Sequence, residues 1–132
     1  MPFVNTFISE GTGLHQVGEG VVTGAEILAA AASIAQAGDR ARKIRFSLVD
    51  LTAVTDFRVN PDDIRLISRQ GATIALLTPT AVVAIVAPMD DAFGLSRMWQ
   101  TLVEDTGWQT AVFRERAQAV TWLRDRIPDF SL

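Results

Sequence analysis

Hydrophobic and polar positions along the chain follow two alternating periods, which predict a succession of strands and helices. Residues 3–8 and 14–22 have the β-branched and aromatic composition of strands, and the turn residues between them favour an antiparallel hairpin. Gly18 and Gly20 in the second strand predict a bulge or a close approach of backbone. The chain is therefore expected to begin with two paired strands.

Four later segments carry apolar residues at helical spacing. The first is expected to begin at Thr23, in a capping box with Glu26, and the second at Asn60, which is followed by a helix-starting proline. Gly71 inside the second helix predicts close packing at that position. The third helix is expected to start with Asp90 or Asp91 as its cap and to stop at Gly107, and the fourth covers residues 115–127.

Three further strands separate these helices. Residues 44–50 alternate in polarity up to Asp50, after which an irregular loop is expected to reach Val59. Residues 81–87 have no polar side chain, which is typical of a central parallel strand, and residues 109–113 form the last strand. The prediction is an α/β fold in the order ββαβαβαβα: a mixed sheet of about five strands, with an antiparallel hairpin and then three parallel strands, and four helices.

Composition limits the function classes. The 132 residues suit a single domain over positions 1–132, and the net charge of −3 offers no basic surface for nucleic acid. The absence of cysteine excludes disulfides and thiolate chemistry. The start of the chain has no signal-peptide pattern, and prolines interrupt its longest uncharged stretch, so a cytoplasmic protein without an integral membrane segment is expected.

Candidate catalytic chemistry is sparse. His15 is the one histidine, it is expected on an edge strand, and it has no second histidine or cysteine with which to bind a metal. No nucleophile, base and orienting group can be assembled from the sequence. The acidic pairs at positions 62–63 and 90–91 stand where helix starts favour negative charge. We therefore expect no catalytic residues, no metal site and no cofactor.

Local motifs give the chain a family resemblance. They are Leu48-Val49-Asp50 closing a strand, Thr55-Asp56-Phe57 before Asn60-Pro61-Asp62-Asp63, Phe93-Gly94-Leu95-Ser96-Arg97-Met98 opening a helix, and Val112-Phe113-Arg114 followed by Ala119 and Trp122-Leu123. In these motifs and in its order of elements the chain resembles the SpoIIAA-like proteins of the STAS-like fold. The resemblance implies a mixed sheet surrounded by helices.

The same resemblance raises the question of a phosphorylation switch. Some anti-sigma antagonists of this fold carry a phosphorylatable serine at the start of the helix after the third strand, where added charge alters an interaction surface. Here residues 50–58 contain no Asp-Ser-Ser-Gly. Thr52 and Thr55 are the candidate substitutes, and turn hydrogen bonding is the alternative role for both.

A ligand or partner site is expected at the carboxyl ends of the parallel strands, where open α/β sheets gather ligands. The polar groups predicted there, with two apolar walls, are Asp56, Phe57, Arg58, Asp90, Phe93 and Arg97. The alternative is that these residues form an ordinary capped and salt-bridged surface.

The large aromatic side chains on the helices have two possible roles. Phe93, Trp99 and Trp122 either complete the core or form a self-association patch, and a homodimer is expected because two-fold dimers are the commonest oligomers. The leading hypothesis is a non-enzymatic regulatory or binding module with a protein partner or small ligand. A phospho-switched regulator and a carrier of a small apolar or lipid-like ligand are the alternatives.

Overall fold

Five strands form one mixed sheet in the computed structural model, which describes residues 2–132. The strands are β1 (Phe3–Ile8), β2 (Gly13–Thr23), β3 (Phe46–Arg58), β4 (Val82–Val86) and β5 (Gln109–Phe113). The helices are α1 (Gly24–Gln36), α2 (Asp39–Arg42), α3 (Pro61–Leu77), α4 (Asp90–Leu102) and α5 (Arg116–Arg126). The strands lie side by side in chain order.

The predicted fold class is confirmed. β1 pairs antiparallel with β2, and β3, β4 and β5 are parallel to one another. β2 is also parallel to β3, so four strands run in the same direction. The four-residue helix α2, which follows Gly38 at a positive φ of 58°, was not indicated by the sequence pattern.

The third strand is much longer than predicted, because β3 continues to Arg58 and the expected loop after Asp50 is wrong. Beyond Asp50, β3 stays paired with β2, and Leu51, Val54 and Phe57 point into the core. Two register shifts each leave one extra residue in β3. The buried side chains therefore recur at every third position, which hides the period of two that identifies a strand.

The glycines of β2 fulfil the prediction made for them. A Cβ atom on Gly18 would lie 3.1 Å from both Leu51 Cδ2 and Val54 Cγ2, so β2 and the bulged part of β3 are packed tightly there. Gly20 has a positive φ of 65°, a conformation that side chains disfavour. Both glycines lie at or beside the register shifts between the two strands.

Two capping boxes fix the starts of α1 and α3 side by side. Thr23 forms the predicted box with Glu26, and Asn60, which was predicted as the start of its helix, forms a second box with Asp63. A Cβ atom on Gly24 would lie 2.4 Å from Asp63 Cγ, so the first turn of α1 packs directly on the cap of α3. A larger residue at position 24 would push the two helix starts apart.

The helices cover both faces of the sheet. α5 packs on one face through Ala119 and Leu123, against Phe46 and Leu48 of β3. α1, α3 and α4 cover the other face, where Trp99 is buried in the core, one of the two alternatives stated for it. No helix within residues 2–132 is long and apolar enough to cross a membrane.

The extension of β3 can be tested by mutation. Phe57→Ala should lower the free energy of unfolding by about 3–5 kcal/mol, because a buried aromatic side chain is lost from the core. Thr55→Ala, at an exposed position of the same segment, should change it by less than about 0.5 kcal/mol. Urea denaturation measures both values. A small loss of unfolding free energy in Phe57→Ala would favour a loop after Asp50.

Candidate functional site: an internal apolar cavity

An apolar cavity of about 140 Å³ lies between the sheet and the layer formed by α1, α3 and α4. Its floor is made by side chains of the strands, among them Leu14, Val83 and Ile85, and its roof includes Ile64 and Trp99. Every residue that lines it is buried or half-buried. Of the residues predicted to bind a ligand, only Phe57 lines this cavity.

Small residues help to leave this space open. Gly71 of α3 lines the cavity, and a Cβ atom there would lie 3.5 Å from Trp108 Cζ3 and 3.6 Å from Val103 Cγ1. These are ordinary contact distances, so Gly71 is packed against its neighbours, but a Cβ atom would fit there without a clash. Ala31 of α1 and Ala81 before β4 also line the cavity. The missing side-chain volume at these positions becomes part of the cavity.

A chain of polar groups crosses three strands at one side of the cavity. Ser47 Oγ donates to Gln16 Oε1 at 3.1 Å, and Gln16 Nε2 donates to Asn5 Oδ1 at 2.8 Å. Asn5 Nδ2 then donates to the carbonyl oxygen of Ala30 in α1 at 3.0 Å. Ser47 and Gln16 line the cavity, so a hydroxyl and an amide stand in an otherwise apolar wall.

Two tryptophans stand at the opposite side. Trp108 Nε1 donates to the carbonyl oxygen of Thr78 at 2.8 Å, which fixes the indole ring, and the ring centroids of Trp99 and Trp108 are 6.2 Å apart. Among the described residues that line the cavity, none has a titratable side chain. The site can therefore offer apolar contact and a few neutral hydrogen bonds, and it offers no proton-transfer group.

The predicted strand-end residues fall into two groups. On β3, Arg58 Nε lies 2.7 Å from Asp56 Oδ2 in an exposed ion pair, whereas Phe57 is buried and lines the cavity. At α4, Asp90 is paired with Arg114, whose guanidinium group also stacks 4.2 Å from the centroid of the Phe93 ring.

No hydrogen bond or ion pair among residues 2–132 joins these two groups, and Arg97 is an exposed residue of α4. Asp56 with Arg58 and Asp90 with Arg114 form exposed ion pairs, and ligand binding at this surface stays a prediction. Asp90 and Asp91 also do not cap α4 as expected, because Met89 occupies the cap position and the two acids lie in the first turn. Of the predicted residues, Phe57 alone reaches the cavity.

The two candidate phosphorylation sites lie on β3 and not in a loop. Thr52 and Thr55 are both exposed, and the Thr52 hydroxyl donates to the Asp50 carboxylate. The first turn of α3 contains Pro61, Asp62 and Asp63, with no hydroxyl. Phosphorylation of either threonine stays a prediction.

His15 lies on β2, an interior strand between β1 and β3, so the predicted edge position is wrong. Its Nε2 atom is buried without a hydrogen-bond partner among residues 2–132. Burial lowers the pKa of His15, the positive charge of Arg116 lowers it further, and the Asp50 carboxylate opposes both effects. Arg116 Nε lies 3.3 Å from Asp50 Oδ2, so His15 stands beside an ion pair and favours the neutral imidazole.

This environment predicts a pH dependence of stability. Because the pKa of His15 is lower in the folded state than the usual value near 6.5, the unfolded chain binds its proton more readily. The His15 contribution to stability should be complete above about pH 6.5 and should be lost as pH falls through the lowered pKa. Urea denaturation of wild type and His15→Gln at several pH values measures it.

The wild-type protein should lose more stability than His15→Gln between neutral and mildly acidic pH, since carboxylate titration is common to both. Parallel losses in the two proteins would show that His15 does not titrate differently on folding.

The sheet order and the alternation of strands and helices define a STAS-like fold, and comparison with solved structures agrees. The chain matches a structure described as that of the anti-sigma factor antagonist SpoIIAA in its unphosphorylated form, with a TM-score of 0.56. The match covers 92% of this chain and 97% of SpoIIAA at 10% identity.

The other two comparisons gave no match. No protein-family model matches the chain, and no curated protein does. At 10% identity, the likeness to SpoIIAA establishes the fold alone.

Proposed function

We propose that this chain is a non-enzymatic binding module whose internal cavity takes one small apolar molecule. The single observation that carries the proposal is the cavity of about 140 Å³ beneath α1, α3 and α4. Protein interiors are normally packed as densely as organic crystals, so a space of this size in a 132-residue chain is a notable departure. Its apolar walls favour an apolar occupant.

The volume restricts the class of ligand. An engineered cavity of about 150 Å³ lined by aliphatic and aromatic side chains stays dry and binds benzene. A single ring, or an aliphatic molecule of similar size, therefore fits the present cavity. A long acyl chain needs several times this volume, so the small-ligand alternative is favoured over the lipid-like one.

The polar groups in the wall favour a ligand with one neutral polar substituent. The Ser47 hydroxyl and the Gln16 amide already bond to each other, and hydroxyl and amide oxygens can each accept a further hydrogen bond. A ligand hydroxyl or amine placed at this side could bond to them while its ring contacts Trp99 and Trp108. A charged ligand would find no opposite charge in the wall and is disfavoured.

Benzene and phenol are suitable probes, because two of the three tryptophans line the cavity and report its occupation. Titration with either probe should change the tryptophan fluorescence to saturation, with phenol binding more tightly through its hydroxyl. Trp122 packs on the opposite face against Phe113 and should contribute a constant background. Absence of a saturable change with both probes would overturn the proposal.

A cavity-filling substitution gives the matched test. Gly71→Leu places a side chain in the space and should weaken probe binding by about tenfold or more, since each 1.4 kcal/mol of lost contact is tenfold in affinity. Ala72→Leu, at an exposed position of the same helix, should leave binding unchanged. Equal affinities of the two folded variants for the probe would show that the probe binds outside the cavity.

Phospho-regulation is a second candidate, supported by the exposure of Thr55. Phosphate on Thr52 would face the Asp50 carboxylate to which its hydroxyl donates, and like-charge repulsion disfavours it. A switch would therefore use Thr55. Intact mass analysis of protein purified from its own cells should show one added phosphate that Thr55→Val abolishes, and an unmodified mass would count against the switch.

A further inference from the structure

The outer edge of β1 carries backbone groups that the fold does not use. The amide of Glu19 donates to the carbonyl oxygen of Pro2 at 2.8 Å, which makes these opposed residues a hydrogen-bonded pair of the antiparallel ladder. Hydrogen-bonded pairs alternate along such a ladder, so Val4 and Thr6 direct their backbone groups towards β2. The N–H and C=O groups of Phe3, Asn5 and Phe7 therefore face outward.

The other open edges of the sheet each carry a side-chain hydrogen bond to the backbone. On β5, Gln100 Nε2 donates to the carbonyl oxygen of Thr110 at 2.7 Å. On β3 beyond the end of β4, the Asp50 carboxylate accepts the Thr52 amide at 2.9 Å, and two bulges distort the strand. Within residues 2–132 no side chain hydrogen-bonds to the backbone of β1. Proteins usually protect such edges against pairing, and β1 lacks even such a bond.

The charge of the flank formed by β1 and α1 indicates which partner fits it. Charged residues make up 20% of the chain, yet β1 has none. α1 has one, Glu26, whose carboxylate is held in the capping box by Thr23. Two copies of this flank could therefore approach each other without like-charge repulsion, and an antiparallel strand edge is complementary to itself about a two-fold axis.

We propose that the chain forms a two-fold dimer in which β1 pairs antiparallel with β1 of a second copy, giving a continuous ten-stranded sheet. The register with the most hydrogen bonds places Asn5 opposite Asn5 of the second copy and Phe3 opposite Phe7 of the second copy. Three outward residues in each strand then make about six backbone hydrogen bonds. Arg40, which stacks on Phe7, lies at opposite ends of the strand pair in the two copies.

The area needed for a stable dimer brings α1 into the same interface. Six residues of strand span only about 20 Å, whereas specific interfaces bury more than about 1,000 Å². α1 lies over β1 and is tied to it by the Asn5 to Ala30 hydrogen bond. Its exposed Ala29 and Ser33 are small enough to allow close approach of the two helices. On the other sheet face, Val4 is 39% exposed and would be covered.

Proline at position 5 tests the strand pairing directly. Size-exclusion chromatography with light scattering should give twice the 14.3 kDa chain mass for wild type. Asn5→Pro removes an outward N–H that β1 does not use with β2, so it should give a monomer with a native circular dichroism spectrum. Asn5→Ala loses the same side chain, keeps the N–H and should remain a dimer. A monomeric wild type, or a dimer that persists in folded Asn5→Pro, would overturn the proposal.

Cysteine cross-linking tests the register even if the proline variant fails to fold. The natural chain has no cysteine, so introduced thiols have no competitors. In the proposed register Val4 faces Thr6 of the second copy in a non-hydrogen-bonded pair, with Cα atoms about 4.5 Å apart. A mixture of Val4→Cys and Thr6→Cys should form disulfide-linked pairs on mild oxidation.

Either variant alone should cross-link far more slowly, because like positions lie about 7 Å or more apart in this register. Equal cross-linking rates in the mixture and in the separate variants would rule out this register and overturn the proposed interface.

Discussion

The parallel pairing of β2 with β3 along their whole lengths sets the geometry of the helix layer. Both strands end at the same level, where Thr23 pairs with Arg58. Helix α1 begins at the next residue, Gly24, and α3 begins at Pro61 after its cap Asn60. Gly24 packs against Asp63, so the starts of α1 and α3 are held together at that level. The two helices then lie over the sheet as one layer, which α4 completes at the β5 side. Two bulges in β3 lie along this long pairing, next to two glycines in β2, and bulges of this kind increase the local twist of a strand pair.

The cavity is a consequence of how this layer is filled. The strands beneath it present branched aliphatic side chains, whereas the facing helices contribute several small residues, Gly71 among them. The polar chain from Ser47 to Ala30 joins sheet and helix at one side, and Trp108 is fixed to Thr78 at the other. Because both sides are held by hydrogen bonds, the layer is restrained from collapsing onto the sheet. A restrained apolar space is a preorganised site, which lowers the cost of binding an apolar molecule.

Local signals in the sequence were sufficient for most of the fold. The limits of β1 and β5 follow from composition and turn residues, the start of α1 follows from its capping box, and that of α3 follows from Asn60 and Pro61. The end of β3 was missed because its bulges break the alternation of buried residues, and a pattern of threes is not recognisable as a strand. The interior position of His15 depends on which strand lies outside β2, which is a property of the sheet and not of β2 itself.

The cavity was missed for a related reason, since empty volume depends on the distance between layers. Gly71 in mid-helix was the one signal in the sequence, and it was attributed to tight packing.

The most direct measurement of the central claim is a crystal structure of the protein under xenon pressure. We predict a xenon atom between Val83, Ile64 and Trp99, with the surrounding side chains in place. A crystal structure in which these side chains meet and no xenon binds between sheet and helices would contradict the account.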